Sequence, residues 1–376
     1  MQICGKYKMF RTDDTFEYNG GRFTGIPFVL DAQMRDVEHL NSYLLDRSAY
    51  GGLRSDDSRS KAARIIIKFQ DFCDRVDVHW LEAERKHLYR WREELLQPGD
   101  RQALAVNECI GRVCDLYEYA RDKRLIAELP FGKKTVPFLR RGGVILRNAQ
   151  VNELTLKTRQ TPVRFLRKEQ VPLFIRELAN VREILMAREG VQLGMRRDEI
   201  TRQTIDVLPD PSGHPPGEMI WMVLDPEKTP TKGHRYREVL LTPALAKDLW
   251  EYKERHRPIL AEKYRRKYGR ETNLLFLSDD GNPLPRNYLN KVFTKAAKRA
   301  GMRITPHMLR HTYATYAMLY AMKTYQEEPA LEWVRDRLGH ASVVTTERYV
   351  HTAKLVSVKL MVDYQRHIDG LVTGEM

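Results

Sequence analysis

The sequence predicts a mainly α protein with a small antiparallel β-sheet, divided into two domains. Three observations carry this. Apolar residues recur at steps of three and four over residues 61–120 and again after residue 169. Two short apolar runs, 219–224 and 236–241, flank a polar stretch holding Pro226, Pro230 and Gly233, the pattern of a hairpin. A basic segment with weak periodicity, residues 131–168, separates the two helical parts. The length of 376 residues, at 44.1 kDa, is enough for roughly two to three domains.

Residues 1–34, punctuated by Gly20 and Gly21, show no clear period and form an N-terminal region of unknown role. A helical bundle is expected over residues 35–130. Ile65, Ile66, Phe69, Phe72, Cys73 and Val76 mark one apolar helix face; Ala103, Val106, Ile110, Val113, Tyr117 and Ala120 mark another. Residues 80–96 read as a helix between them, ended by Pro98 and Gly99. Residues 131–168, with Gly142 and Gly143, read as an exposed basic linker. The second domain, 169–376, resumes the helical pattern around the hairpin, and residues 273–278 offer a third strand. Thr242-Pro243 and Thr305-Pro306 each place an N-cap before a first-position proline, so helices start there. Residues 355–371, with Val356, Leu360, Val362 and Ile368 apolar, form a C-terminal helix suited to docking on a neighbouring copy.

Composition narrows the function. With 42% hydrophobic and 30% charged residues the chain is globular rather than disordered. No window approaches the ~18 uninterrupted apolar residues of a membrane helix, and the first residues lack the apolar stretch of a secretory signal. Cys4, Cys73, Cys109 and Cys114 lack zinc-ligand spacing and fit free thiols in a reducing cytoplasm.

Charge is uneven. Lys and Arg number 64 against 50 Asp and Glu, a net +14. Residues 1–130 carry 21 basic and 22 acidic groups, whereas residues 131–170 carry 10 and 2. Residues 131–152 and 281–326 contain no acid at all. Two such tracts favour a polyanionic partner, because each cation that neutralises a phosphate releases counterions. A nucleic acid is the expected partner, with Lys133, Lys134, Arg140 and Arg141 in the linker as candidate contacts to a DNA backbone.

Several chemistries find no support. Neither GxxxxGK[ST] nor GxGxxG occurs. His307 and His311 have the spacing of a zinc pair, but position 308 is Met, so the base of a zinc protease is missing. No tight group of Asp, Glu and His indicates a two-metal site.

Two segments stand out: HMLRHTYAT at 307–315 and LGHASVVTTERY at 338–349. With them, the chain resembles the tyrosine site-specific recombinases, the phage integrase family. The resemblance covers residues 170–355, and residues 35–130 only as a generic helical DNA-binding bundle. The segment Gly194, Met195, Arg196 and Glu199 matches the family's first arginine box, with Glu199 in support. Lys232, with Gly233, Arg235 and Arg237 in step, matches the lysine of the hairpin turn. His307 and Arg310 fill the HxxR box, His340 the LGH box, and Tyr349, nine residues later, the nucleophile position. Singly these matches are weak, since Tyr349 is one of 18 tyrosines; in this order they form a specific set.

The residue types suit the chemistry. Cleaving a phosphodiester builds negative charge on the non-bridging oxygens, which two guanidinium forks can hold bidentately. His307 and Arg310, three apart on a helix, project to one side. A phenol with a pKa near ~10 needs neighbouring cations or a base to become a nucleophile. The resemblance implies attack by Tyr349 to give a 3'-phosphotyrosyl link, Lys232 as acid for the leaving oxygen, His307 sharing proton transfer and His340 bonding the phosphate. It implies a two-domain clamp around double-stranded DNA, working as a homo-tetramer on paired recombination sites, with accessory proteins possible and with neither metal nor ATP required. A transposase, a telomere-resolving enzyme or a topoisomerase would use the same residues. A non-catalytic DNA-binding regulator is the alternative of another class. Two departures from the family pattern stand out: a long connection over residues 320–330, and Leu240 where a proline often follows the hairpin arginine and valine.

Overall fold

The structure, a computed structural model, describes residues 2–4, 6–53, 55–97, 102–139, 145–158, 163–231, 234–340, 343 and 345–354. It divides into two compact units, residues 1–160 and 161–376.

The first unit opens with strands β1 (Gln2–Cys4), β2 (Tyr7–Arg11), β3 (Glu17–Tyr18), β4 (Gly21–Arg22) and β5 (Pro27–Leu30). β1, β2 and β5 form a three-stranded antiparallel sheet in that order, and β3 pairs with β4. Its helices are α1 (Glu38–Ala49), α2 (Asp56–Arg75), α3 (Arg85–Leu95) and α4 (Ala103–Asp122). The sheet shares one core with the helices: Tyr7, Met9 and Val29 pack with Tyr43, Phe69, Phe72 and Tyr117. Asn41 fastens the two parts, accepting from Val29 N and donating to Val29 O, both at 2.7 Å. The expected helix over residues 80–96 is divided, because a 3-10 turn at Trp80–Glu82 precedes α3.

The basic stretch after residue 130 is not an irregular connector. β6 (Lys133–Leu139) and β7 (Ile145–Asn152) pair as an antiparallel hairpin, and the flanking Phe131 and Leu154 are buried in the first unit's core. Lys133 lies beside Glu118 at 3.4 Å, and Lys134 donates to the carbonyls of Glu153 and Thr155. Arg140 and Arg141 lie outside the described residues.

The second unit contains α5 (Gln170–Arg176), α6 (Val181–Gln192), α7 (Arg197–Thr201), β8 (Ile220–Leu224), β9 (Arg237–Leu241), α8 (Pro243–Glu251), α9 (Arg257–Tyr268), α10 (Tyr288–Arg299), α11 (Pro306–Thr324) and α12 (Glu327–Leu338). Residues 345–354 are helical as well. β8 and β9 pair with Ile220 opposite Leu241. The expected third strand is absent from their sheet: Leu274 and Leu277 make only isolated bridges, to Thr204 and Pro283. The proline starts hold, with Thr242 and Thr305 accepting from the backbone of Leu245 and Met308. The long connection expected over residues 320–330 is mostly helix, since α11 runs to Thr324 and α12 begins at Glu327. The C-terminal docking segment, 355–371, lies outside the described residues. No described helix is long and apolar enough to cross a membrane.

Candidate active site

Four separate stretches of the second unit meet around the C-terminal end of α12. Gly194 takes a left-handed turn with φ +63° after α6, where a Cβ would run into the ring of Tyr313. That turn delivers Arg196 at the N-cap of α7. In β9 the alternation of faces turns Arg237, Val239 and Leu241 inward together, so a guanidinium is buried where an apolar side chain is usual. α11 brings Arg310, 2% exposed, from a third direction.

The last carbonyls of α12, left unpaired by the helix, receive all three guanidiniums. Arg237 donates to Arg337 O at 2.9 Å. Arg310 donates to Leu338 O at 2.6 Å and also to Gly194 O. Arg196 donates to Leu338 O at 3.2 Å and Gly339 O at 3.0 Å. The negative end of the helix dipole favours cations there. Gly339 ends α12 with φ +59°, and a Cβ on it would sit 3.0 Å from Arg237 Cδ, so the close approach needs glycine.

One carboxylate answers these cations. Glu199, 1% exposed, accepts from Arg196 Nη1 at 2.7 Å and from Arg196 N at 2.8 Å, and it pairs with Arg237. Burial pushes its pKa up, but Arg237, Arg196 and Arg310 outweigh burial and hold it below the usual carboxylate range. Burial, with Arg196 and Arg237 alongside, pulls Arg310 down to about 9, so it stays charged at neutral pH. Among the described residues, three guanidiniums against one carboxylate leave a positive surplus suited to an anion.

The nucleophile candidate closes the cluster. Tyr349, 2% exposed, packs beside Val334, Leu338 and Val350. Its ring lies nearly parallel to that of His340, 6.2 Å between centroids. His340 Nδ1 is 2.9 Å from Thr346 Oγ1. Burial and the guanidiniums of Arg310, Arg196, Arg237 and Arg348 depress His340 to about 3, leaving it neutral. Burial raises the phenol of Tyr349, opposed by Arg310, Arg348 and Arg196. His307 meets His311 edge to face, 4.2 Å between centroids, and His311 Nδ1 stands 2.8 Å from Tyr349 Oη.

The structure therefore gathers Arg196, Glu199, His307, Arg310, His340 and Tyr349 in one place. Lys232 lies outside the described residues. Two members had weaker sequence signals. Arg237 stood in step with the hairpin motif but carried no role until the strand's inward face showed where it points. His311 stood out only by its spacing from His307, and its partner, 38 positions away, was invisible to local spacing.

Residues 164–355 match the family model described as the phage integrase family. A stretch of 125 residues, 33% of the chain, is 34% identical to tyrosine recombinase XerD of Staphylococcus saprophyticus. Over the same length it is 33% identical to XerD of Staphylococcus aureus, and in both cases the match spans 38% of the relative's length. Among solved structures, the XerH site-specific recombinase bound to palindromic difH substrate aligns with a TM-score of 0.58 at 18% identity, covering 86% of this chain and 84% of that one. The lambda integrase dimer bound to a COC' core site aligns with a TM-score of 0.56 at 14% identity, covering 83% and 94%. At these identities the structural likeness is one of fold. The family match, running through every described residue of the cluster and over more than half of the chain, makes this protein a member of the phage integrase family of tyrosine recombinases.

Proposed function

We propose that this chain is a site-specific DNA recombinase or integrase that cuts and rejoins duplex DNA through a 3'-phosphotyrosine at Tyr349. The observation that carries the reading is the convergence of Tyr349 with Arg196, Arg310 and His340 in a buried cluster of surplus positive charge. A scissile phosphate supplies the anion such a cluster lacks. Arg196 and Arg310 hold its non-bridging oxygens, while their anchoring to α12 keeps them in place before the substrate arrives. Tyr349 Oη attacks phosphorus and the 5'-oxygen leaves with a proton from Lys232. His340 bonds the phosphate and His307 shares in proton transfer. The phosphotyrosyl link conserves the energy of the phosphodiester, so the 5'-hydroxyl reverses the step when a strand is rejoined.

On the same reading the chain works on paired DNA sites as a homo-tetramer in the cytoplasm, with residues 355–371 docking on a neighbouring copy. Lys133, Lys134, Arg140 and Arg141 track the DNA backbone. The test is covalent capture from a pool of nicked duplexes of randomised sequence. The full chain is expected to yield a protein–DNA adduct that survives denaturant, and Tyr349→Phe none. DNA binding without any adduct from the unmutated chain would mean a regulator that only retains the fold.

A further inference from the structure

When Tyr349 attacks, its phenolic proton must go somewhere, and the described residues around it offer few acceptors. The residue is 2% exposed, so bulk water has little access to it. Glu199 is occupied by Arg196 and Arg237. His340 faces the phenol ring to ring, and its Nδ1 is engaged by Thr346 Oγ1. His311 alone among these presents a ring nitrogen to the reacting oxygen, with Nδ1 2.8 Å from Oη. Its ring is fixed from the other side by His307 and by its place on the buried face of α11.

We propose that His311 is a catalytic residue of the cleavage reaction, the base that takes the proton of Tyr349 as the phenol attacks. The inference rests on the recombinase reading above and adds the fate of this proton to it. In the step, the Oη–H bond breaks and Nδ1–H forms while Oη–P forms and P–O5' breaks. The departing oxygen takes its own proton from Lys232. On rejoining, His311 returns its proton to Oη as the 5'-hydroxyl displaces the tyrosine.

The groups facing His311 fit this order of events. They are His307 and Arg310 from α11, His340 after α12, and Arg348 and Tyr349 from the last helix. Burial, with His307, Arg348, Arg310 and His340 close by, holds His311 down to about 3 in the free protein, so the ring is neutral and able to accept. A bound phosphate adds negative charge beside them and favours the imidazolium. Transfer concerted with attack avoids a free phenolate, which burial disfavours.

The experiment uses the duplex captured by the unmutated chain, prepared both with an ordinary scissile phosphate and with sulfur replacing the 5'-bridging oxygen. A thiol leaving group needs no acid. His311→Asn and His311→Phe should form the adduct about 100-fold or more slowly on both duplexes. Lys232→Ala should be slow on the ordinary duplex and recover with sulfur. Soaking in imidazole should restore part of the rate of His311→Gly. In the free protein, nitrogen NMR should find His311 protonated at Nε2, with its Nδ1 signal moving in Tyr349→Phe. A normal rate for His311→Asn, recovery of the His311 variants with sulfur, or a proton resident on Nδ1 would overturn the proposal. Failure of the unmutated chain to form any adduct would sink the recombinase reading and this inference with it.

Discussion

Glu199 is the acid that pairs with Arg196 and Arg237 and lies in the field of Arg310. Removing one partner of a buried ion pair leaves the other uncompensated, at a typical cost of about 3–5 kcal/mol. Glu199→Gln keeps the shape and removes the charge. It should lower unfolding stability by about that amount in urea titrations at pH 7. The sign of the pH dependence follows from the lowered pKa. The stability Glu199 contributes is present above its unfolded value of 4.5 and is lost as pH falls through its folded value. The difference between Glu199→Gln and the unmutated chain should therefore shrink in acid. A difference that stays constant down to pH 3 would mean that the carboxylate is not what steadies the arginines.

At the scale of elements, the site depends on turns that bring distant segments together, and Gly194 is the tightest of them. Gly217 has a comparable φ of +85° but nothing within 4 Å of an added Cβ, whereas at Gly194 the ring of Tyr313 is in the way. Gly217→Ala should therefore cost about 1–2 kcal/mol for the left-handed backbone alone. Gly194→Ala should cost clearly more, and it should also slow adduct formation, because Arg310 is held by the Gly194 carbonyl. Equal losses in urea titrations of the two variants would show that the collision is relieved without strain. What could be read ahead of the structure divides along the same line. Apolar periodicity marked α2 and α4, and threonine–proline pairs marked the starts of α8 and α11, because those signals are local. The N-terminal strands stayed hidden because they are only two to five residues long, too short for an alternating pattern to register. The β6–β7 hairpin was masked by its basic residues, which imitate a linker. Ordered motifs named the cluster, yet the use of α12's last carbonyls as a common anchor is a property of the fold with no signature in spacing.

For the whole molecule, the tolerance of charge in the second unit's interior should set the pH at which it holds together best. Glu189, on α6, has no exposed surface and lies beside Gln203; burial pushes its carboxyl up to about 8. Between its unfolded value of 4.5 and about 8, the folded chain keeps a proton that the unfolded chain releases. Stability therefore falls as pH rises through that window, by about 1.4 kcal/mol for each unit. His311 and His340 act oppositely: both are depressed to about 3, so the unfolded chain binds protons first and stability falls as pH drops below about 6.5. The opposing trends can be separated with Glu189→Gln, which keeps the buried shape and removes the titration. Subtracting its unfolding free energy from that of the unmutated chain cancels the histidines. The remainder should be flat below pH 4.5, decline across the window and level off above about 8, so the glutamine variant gains most in alkali. A remainder flat from pH 4 to 9 would mean that Glu189 titrates alike in the folded and unfolded chains, requiring a compensating cation or water next to it in the folded unit.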